Sequence, residues 1–316
     1  MFKSSKKKNI LRKSIYLLAL IFIGLNFIAF FHAYKFTHFV SNSIKKTRNP
    51  KELTTIGKTK TLLFGVNNPK PVNKTLPTQH FETVKLESDI EIECWSIKAN
   101  NSKGTVILFH GYGGEKSSLL DKSNIFLNLG YNTLLVDFMG SGGSHGNQTT
   151  IGFHESKQVK ETYDYLNKKG EKNIYLFGTS MGAVAILKAI DQFKLKPKGI
   201  IIECPFGSMY KTVCARFKTM NAPTFPMAGL LVFWGGIQNG FWAFGHNPIQ
   251  YAKSTSCPTL LMYGEKDEKV SRQEIDEIFK NLNGKKQLEL YPKAGHENYL
   301  IKYKEQWIKN VEGFLQ

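Results

Sequence analysis

A chain of 316 residues that is 41% hydrophobic and 22% charged is long and apolar enough to bury one large core or two small ones, which excludes disorder as its main description. Four cysteines (Cys94, Cys204, Cys214 and Cys257), none in a Cys-x-x-Cys pair, exclude a disulfide scaffold and a zinc motif, and they read as reduced apolar residues. The formal charge of +18 is unevenly held: residues 1–60 carry +12 and the other 256 residues only +6, so no nucleic-acid partner is expected.

In chain order, residues 1–13 are a basic flank containing Lys3, Lys6, Lys7, Lys8, Arg12 and Lys13. Residues 14–34, SIYLLALIFIGLNFIAFFHAY, hold no charged side chain, and as a helix they would span roughly the 30 Å of a bilayer's hydrocarbon core. The run is longer than the apolar core of a cleaved signal peptide and ends in FFHAYKF rather than in small residues, so it reads as an uncleaved anchor with the bilayer as its partner. The tighter positive cluster precedes it, which would keep the N-terminus cytoplasmic and put the remainder on the periplasmic or extracellular side. Residues 35–78, rich in Lys, Asn and Pro, read as a stalk.

Residues 79–316 alternate short apolar runs with stretches of helical length. Strands are expected at 89–99, 105–110, 132–137, 173–178, 199–204, 259–264 and 287–292, and helices near 116–129, 154–168, 181–193, 271–282 and 298–315. That alternation predicts an α/β fold: a mostly parallel central sheet covered by helices on both faces, with an antiparallel edge at its start and sites at the carboxyl ends of strands. The stretch 206–255 interrupts the rhythm with MAGLLVFWGGIQNGFWAF. A second membrane helix over 223–244 is one reading, and an apolar lid inserted above the strand ends is the other.

Gly178-Thr179-Ser180-Met181-Gly182 follows a strand and opens a helix, the setting in which G-x-S-x-G holds a nucleophilic serine; a plain helix N-cap at Ser180 is the competing account. A serine hydroxyl needs a base. Of eight histidines, His296 follows the last expected strand at the carboxyl end of the sheet. Asp267, directly after TLLMYG, stands where a carboxylate would orient that histidine, and Glu203 at the end of its strand competes for the role. An oxyanion needs two backbone donors, and Met181, after the nucleophile, and Tyr112, in His110-Gly111-Tyr112-Gly113-Gly114, are the candidates; His110 would organise that loop. This chemistry needs no metal or organic cofactor.

Together these residues resemble the α/β-hydrolase family over about residues 80–316, with the nucleophile, acid and base in that family's order and the His110-Gly111 loop where its oxyanion loop stands. Residues 137–144, DFMGSGGS, are similar to the D-x-R-G-x-G-x-S turn of the serine aminopeptidase and monoglyceride-lipase-like branch, with Met139 where that branch has arginine. Asp137 there fits a turn and packing role. The resemblance implies a membrane-anchored serine hydrolase of a small-molecule carboxylic ester. The lid residues Phe225, Leu231, Phe233, Trp234, Phe241 and Trp242 point to an acyl or lipid-like substrate, or simply pack on the core. Peptide or amide hydrolysis, thioester hydrolysis or acyl transfer on the same residues, and a non-catalytic binding module remain open alternatives.

Overall fold

The computed structural model describes residues 2–47, 54–87 and 89–316. Helix α1 (Phe2–Thr37) takes in the basic flank and the whole uncharged run, since nothing in that stretch breaks a helix. Its span Lys7–Thr37 has a mean hydropathy of 2.3 in its most apolar window, and only 6% of that window is buried within the protein.

The described part of 35–78 differs from a stalk. Helix α2 (Thr55–Phe64), capped by the Thr54 side chain, lies against α1, with Phe64 packed edge-on to Phe31 at 5.6 Å. Further on, His38 bridges to Gln148, Lys70 Nζ donates to the Ser144 carbonyl at 2.6 Å, and Asn73 Nδ2 donates to Asp137 Oδ2 at 2.8 Å. The polar residues that read as solvated linker are instead partners for the turn at 137–146, a pairing between distant segments that composition does not carry.

Eight strands form one sheet: β1 (Phe81–Leu86), β2 (Ile92–Ile97), β3 (Thr105–Phe109), β4 (Asn132–Val136), β5 (Ile174–Thr179), β6 (Gly199–Glu203), β7 (Thr259–Gly264) and β8 (Lys286–Tyr291), in the order β1-β2-β4-β3-β5-β6-β7-β8. β1 and β2 are antiparallel, and the strands from β4 onward pair in parallel, as the alternating pattern predicts. β1 is additional to the expected strands; it sits at the edge, half exposed, with a weak apolar signal.

Helices α3 (Leu120–Asn128), α4 (Glu155–Lys168), α5 (Met181–Phe193), α6 (Met209–Thr219), α7 (Met227–Gln238), α8 (Pro248–Tyr251), α9 (Arg272–Asn281), α10 (Tyr299–Lys302) and α11 (Lys304–Leu315) complete the chain. Val159 of α4, Val184 and Leu187 of α5, and Ile275 and Ile278 of α9 close one face of the sheet. Phe126 of α3 with Trp307 and Val311 of α11 closes the other. The helix expected over 298–315 is broken at Tyr303 into α10 and α11.

The insertion at 206–255 is helical, built from α6, α7 and α8. At 12 residues α7 extends only about 18 Å, too short to cross a bilayer, so the second-membrane-helix reading fails. α7 instead runs parallel to α1. Trp234 Nε1 donates to Asn26 Oδ1 at 3.1 Å, and one turn on Gln238 Nε2 donates to the Phe30 carbonyl at 2.9 Å.

Candidate active site

β5 ends at Thr179 and α5 begins at Met181, which leaves Ser180 alone at the turn with φ 49° and ψ −109°. That positive φ is unfavourable for a residue with a Cβ, and the packing around it maintains the strain. A Cβ on Gly178 would come within 2.6 Å of the Gly182 carbonyl carbon, and one on Gly182 within 2.3 Å of the Phe109 oxygen. Only glycines let the strand, the helix and the neighbouring β3 approach so closely. The Ser180 N–H donates to the Glu203 carbonyl at 2.8 Å, and its side chain caps nothing, which removes the N-cap account.

Ser180 Oγ lies 3.0 Å from His296 Nε2, and His296 Nδ1 lies 2.7 Å from Asp267 Oδ2. The carboxylate is buried, and its other oxygen accepts from the amides of Lys269 and Val270 at 2.8 and 3.0 Å. With Asp267 so held, Nδ1 carries the proton it donates, and once the imidazole is neutral Nε2 is left to accept from the serine. The competing Glu203 is engaged elsewhere: its Oε1 accepts from Trp307 Nε1 at 2.7 Å and its Oε2 lies 3.8 Å from Lys122 Nζ. Burial raises the Glu203 carboxyl above its ordinary value.

Sequence reasoning missed Cys204. It follows β6, is buried with φ 41°, and its sulfur lies with the Asp267 and His296 ligand atoms in a group within 4.8 Å of one another. Burial works against the imidazolium, but the Cys204 sulfur and the Asp267 carboxylate outweigh it and push His296 up to about 10. The three atoms are spaced for a soft divalent cation. Such an ion would compete for Asp267 and His296, which are already committed to each other and to Ser180. The available signal was position: Cys204 stands one residue past Glu203, at the carboxyl end of the same strand.

The loop after β3 lies against the elbow, where a Cβ on Gly111 would be 3.7 Å from Ser180 Cβ. His110 organises it, as expected: Nδ1 is 2.8 Å from the Gly111 carbonyl and Nε2 accepts the Phe138 N–H at 3.1 Å, while burial lowers its pKa. Met181 is the first residue of α5, where a helix leaves its N–H groups without intrahelical partners. The Tyr112 side chain points away to α1. Its hydroxyl donates to the Phe36 carbonyl at 2.7 Å and its ring stacks on Phe36 at 4.6 Å.

Asp137 is a knot beneath this loop. It accepts from the Lys116 amide at 2.7 Å, Asn73 Nδ2 at 2.8 Å and the Gly143 amide at 2.9 Å, and pairs with Lys116 Nζ. Burial alone would raise its pKa; Lys116 and the other donors hold it below the usual carboxylate range. Met139 is buried nearby, its N–H donating to Gln158 Oε1 at 3.0 Å. Of the six lid residues, Phe241 stacks on Phe153 at 4.2 Å and packs on the core, Trp234 meets Phe30 of α1 edge-on at 5.2 Å, and Leu231 is half-buried. Phe225, Phe233 and Trp242 are exposed, Phe225 by 86%.

Residues 100–233 match the family described as "Serine aminopeptidase, S33". An esterase of Pyrococcus furiosus has a similar structure: TM-score 0.65 at 24% identity, over 79% of this chain and 96% of that one. An esterase of Exiguobacterium antarcticum gives 0.58 at 17% identity, over 74% and 99%. Among curated proteins, an uncharacterized Bacillus subtilis protein, YqkD, is 24% identical over 229 residues, 71% of this chain and 75% of its own length. An uncharacterized membrane protein of Saccharomyces cerevisiae is 21% identical over 234 residues, 73% and 78% of the two chains.

Proposed function

This chain is an α/β-hydrolase by fold, and from that premise we propose that it is a membrane-anchored serine hydrolase of acyl esters. The observation that carries the reading is the relay from Ser180 Oγ to His296 Nε2 at 3.0 Å and from His296 Nδ1 to Asp267 at 2.7 Å, set on a strained elbow. Ser180 Oγ bonds to the acyl carbon as its proton passes to His296. The Tyr112 and Met181 amides take the charge that develops on the carbonyl oxygen. The ester C–O bond then breaks, the alcohol leaves with the proton from His296, and water admitted through the same base releases the acid and restores Ser180.

α1 is the anchor in this reading, with the basic flank cytoplasmic and the hydrolase domain on the far side of the membrane. The contacts of α7 with Asn26 and Phe30 support a lipid-like substrate, because they set an apolar lid helix beside the part of α1 that the bilayer would surround. The exposed Phe225, Phe233 and Trp242 extend that surface.

The match to a serine aminopeptidase family favours one second reading, hydrolysis of a peptide or amide by the same residues. Matched ester, thioester and amide substrates of one acyl group separate the two. The ester reading expects the ester to have the highest kcat/KM and longer acyl chains to be preferred over acetyl; an amide turned over best would replace it.

A further inference from the structure

Arg216 lies on lid helix α6, with its guanidinium over the Phe36 ring at 5.2 Å. Phe36 is also the residue on which Tyr112 stacks, so the arginine stands one ring away from the candidate oxyanion loop. Among the described residues its hydrogen bonds both use Nη1 and both return to its own helix, to the carbonyl and hydroxyl of Thr212 at 3.2 and 3.3 Å. Among the described residues no carboxylate pairs with it, and neither Nε nor Nη2 has a protein acceptor. Arg12 and Arg272 differ: the first lies in the basic flank, and the second pairs with Asp276 and Glu265.

An arginine stays charged in a protein, and a partly desolvated charge without a counter-ion is costly. Burial draws Arg216 below its ordinary value, and the opposing influence is the Tyr112 phenol rather than an acid. The depth is informative as well. Phe36 comes two residues after the uncharged run 14–34, where α1 would leave the hydrocarbon and enter the headgroup layer. The anion abundant at that depth is phosphate, and a free guanidinium edge matches its oxygens two at a time.

We propose that Arg216 binds the phosphate of the substrate, which is a phosphate-bearing acyl-ester lipid whose ester reaches Ser180 past the Tyr112 loop. The proposal rests on the hydrolase reading above and adds the headgroup to it. Arg216 is the specificity-determining residue, and the Phe36 ring keeps it facing the same loop that receives the ester carbonyl.

The test uses the full chain in an uncharged detergent with two soluble substrates, dihexanoyl phosphatidate and dihexanoylglycerol, and reads the ratio of their kcat/KM values. The expected ratio favours the phosphatidate on the order of 10- to 100-fold, mainly through KM. Arg216→Gln should bring the ratio near one, and Arg216→Lys, which keeps the charge and loses the fork, should hold an intermediate value. Thermal melting and labelling of Ser180 by an uncharged fluorophosphonate establish that each variant is folded. A ratio unmoved in a folded Arg216→Gln chain, or a wild-type preference for dihexanoylglycerol, overturns the proposal. Inorganic phosphate added as a competitor separates the sources: lipid-borne recognition predicts little inhibition at millimolar levels, whereas strong inhibition assigns the site to a free phosphate and overturns the substrate claim. Calorimetry on Ser180→Ala separates the two readings. Arg216-dependent binding of phosphatidate without turnover in the wild type retains Arg216 and sinks the hydrolase; turnover without Arg216-dependent binding does the reverse.

Discussion

The hydroxyl of Tyr112 donates to the backbone carbonyl of Phe36 at 2.7 Å while the two rings stack 9° from parallel. One belongs to the loop that would bind the oxyanion and the other to the last turn of α1. Helix α1 therefore packs directly behind the candidate oxyanion loop, and a domain cut free of α1 would lose the support behind Tyr112.

Removing that support should slow the chemistry more than it weakens binding. Phe36→Ala is expected to lower kcat on a short soluble ester by about tenfold with KM little changed, since a misaligned oxyanion donor acts in the transition state. Tyr112→Phe, which gives up a hydrogen bond worth about 1 kcal/mol but keeps the stack, should cost less. Full kcat in Phe36→Ala would detach the anchor from the site.

The pH profile should expose Cys204. His296 serves as a base only when neutral, and its pKa lies above the ordinary 6.5, so kcat/KM should rise with pH through an inflection above that value. The Cys204 sulfur is the first of the influences that raise it, so Cys204→Ala should move the inflection to lower pH. The pH dependence of kcat/KM for both chains decides this, and superimposable acid limbs would contradict it.

Asp137 should matter for stability rather than for chemistry. Its folded pKa is depressed, so its contribution is present above the unfolded carboxylate range and is lost as pH falls through the folded value. Asp137→Asn leaves the buried Lys116 with Glu93, 2.8 Å from its Nζ, as its remaining counter-ion and should cost about 1–3 kcal/mol, read by thermal melting. Melting temperatures that fall alike with acid in both chains would count against it.

The lid helix should sit at acyl-chain depth. In vesicles, lipids brominated on their acyl chains should quench the fluorescence of Trp234, and Trp234→Phe should remove a clear share of the quenching and leave that of the exposed Trp242, because Trp234 is bonded to Asn26 within the uncharged run. Equal quenching in the two chains would lift α7 out of the leaflet.

How much of this was legible follows from the range of each contact. The strands from β3 onward, their parallel pairing and the choice of Ser180, Asp267 and His296 as candidates rest on local signals: apolar runs, a glycine-flanked serine, and polar residues immediately after strands. β1 was missed because an edge strand with few buried side chains carries little apolar pattern. The docking of the described part of 35–78 was missed because Lys70 and Asn73 find partners 74 and 64 residues away, and no periodicity records such pairs. Cys204 looked like a core residue by composition and is one, yet its sulfur also reaches the relay. The seam of α1 with α7 joins residues 208 apart, and only the folded chain brings Trp234 to Asn26.

The central claim, an activated Ser180, is tested most directly by treating the full chain in detergent with a fluorophosphonate probe beside Ser180→Ala. Covalent labelling of the wild type that disappears in Ser180→Ala is the expected result. A folded wild-type chain that takes no label, or labelling that survives in Ser180→Ala, would contradict it.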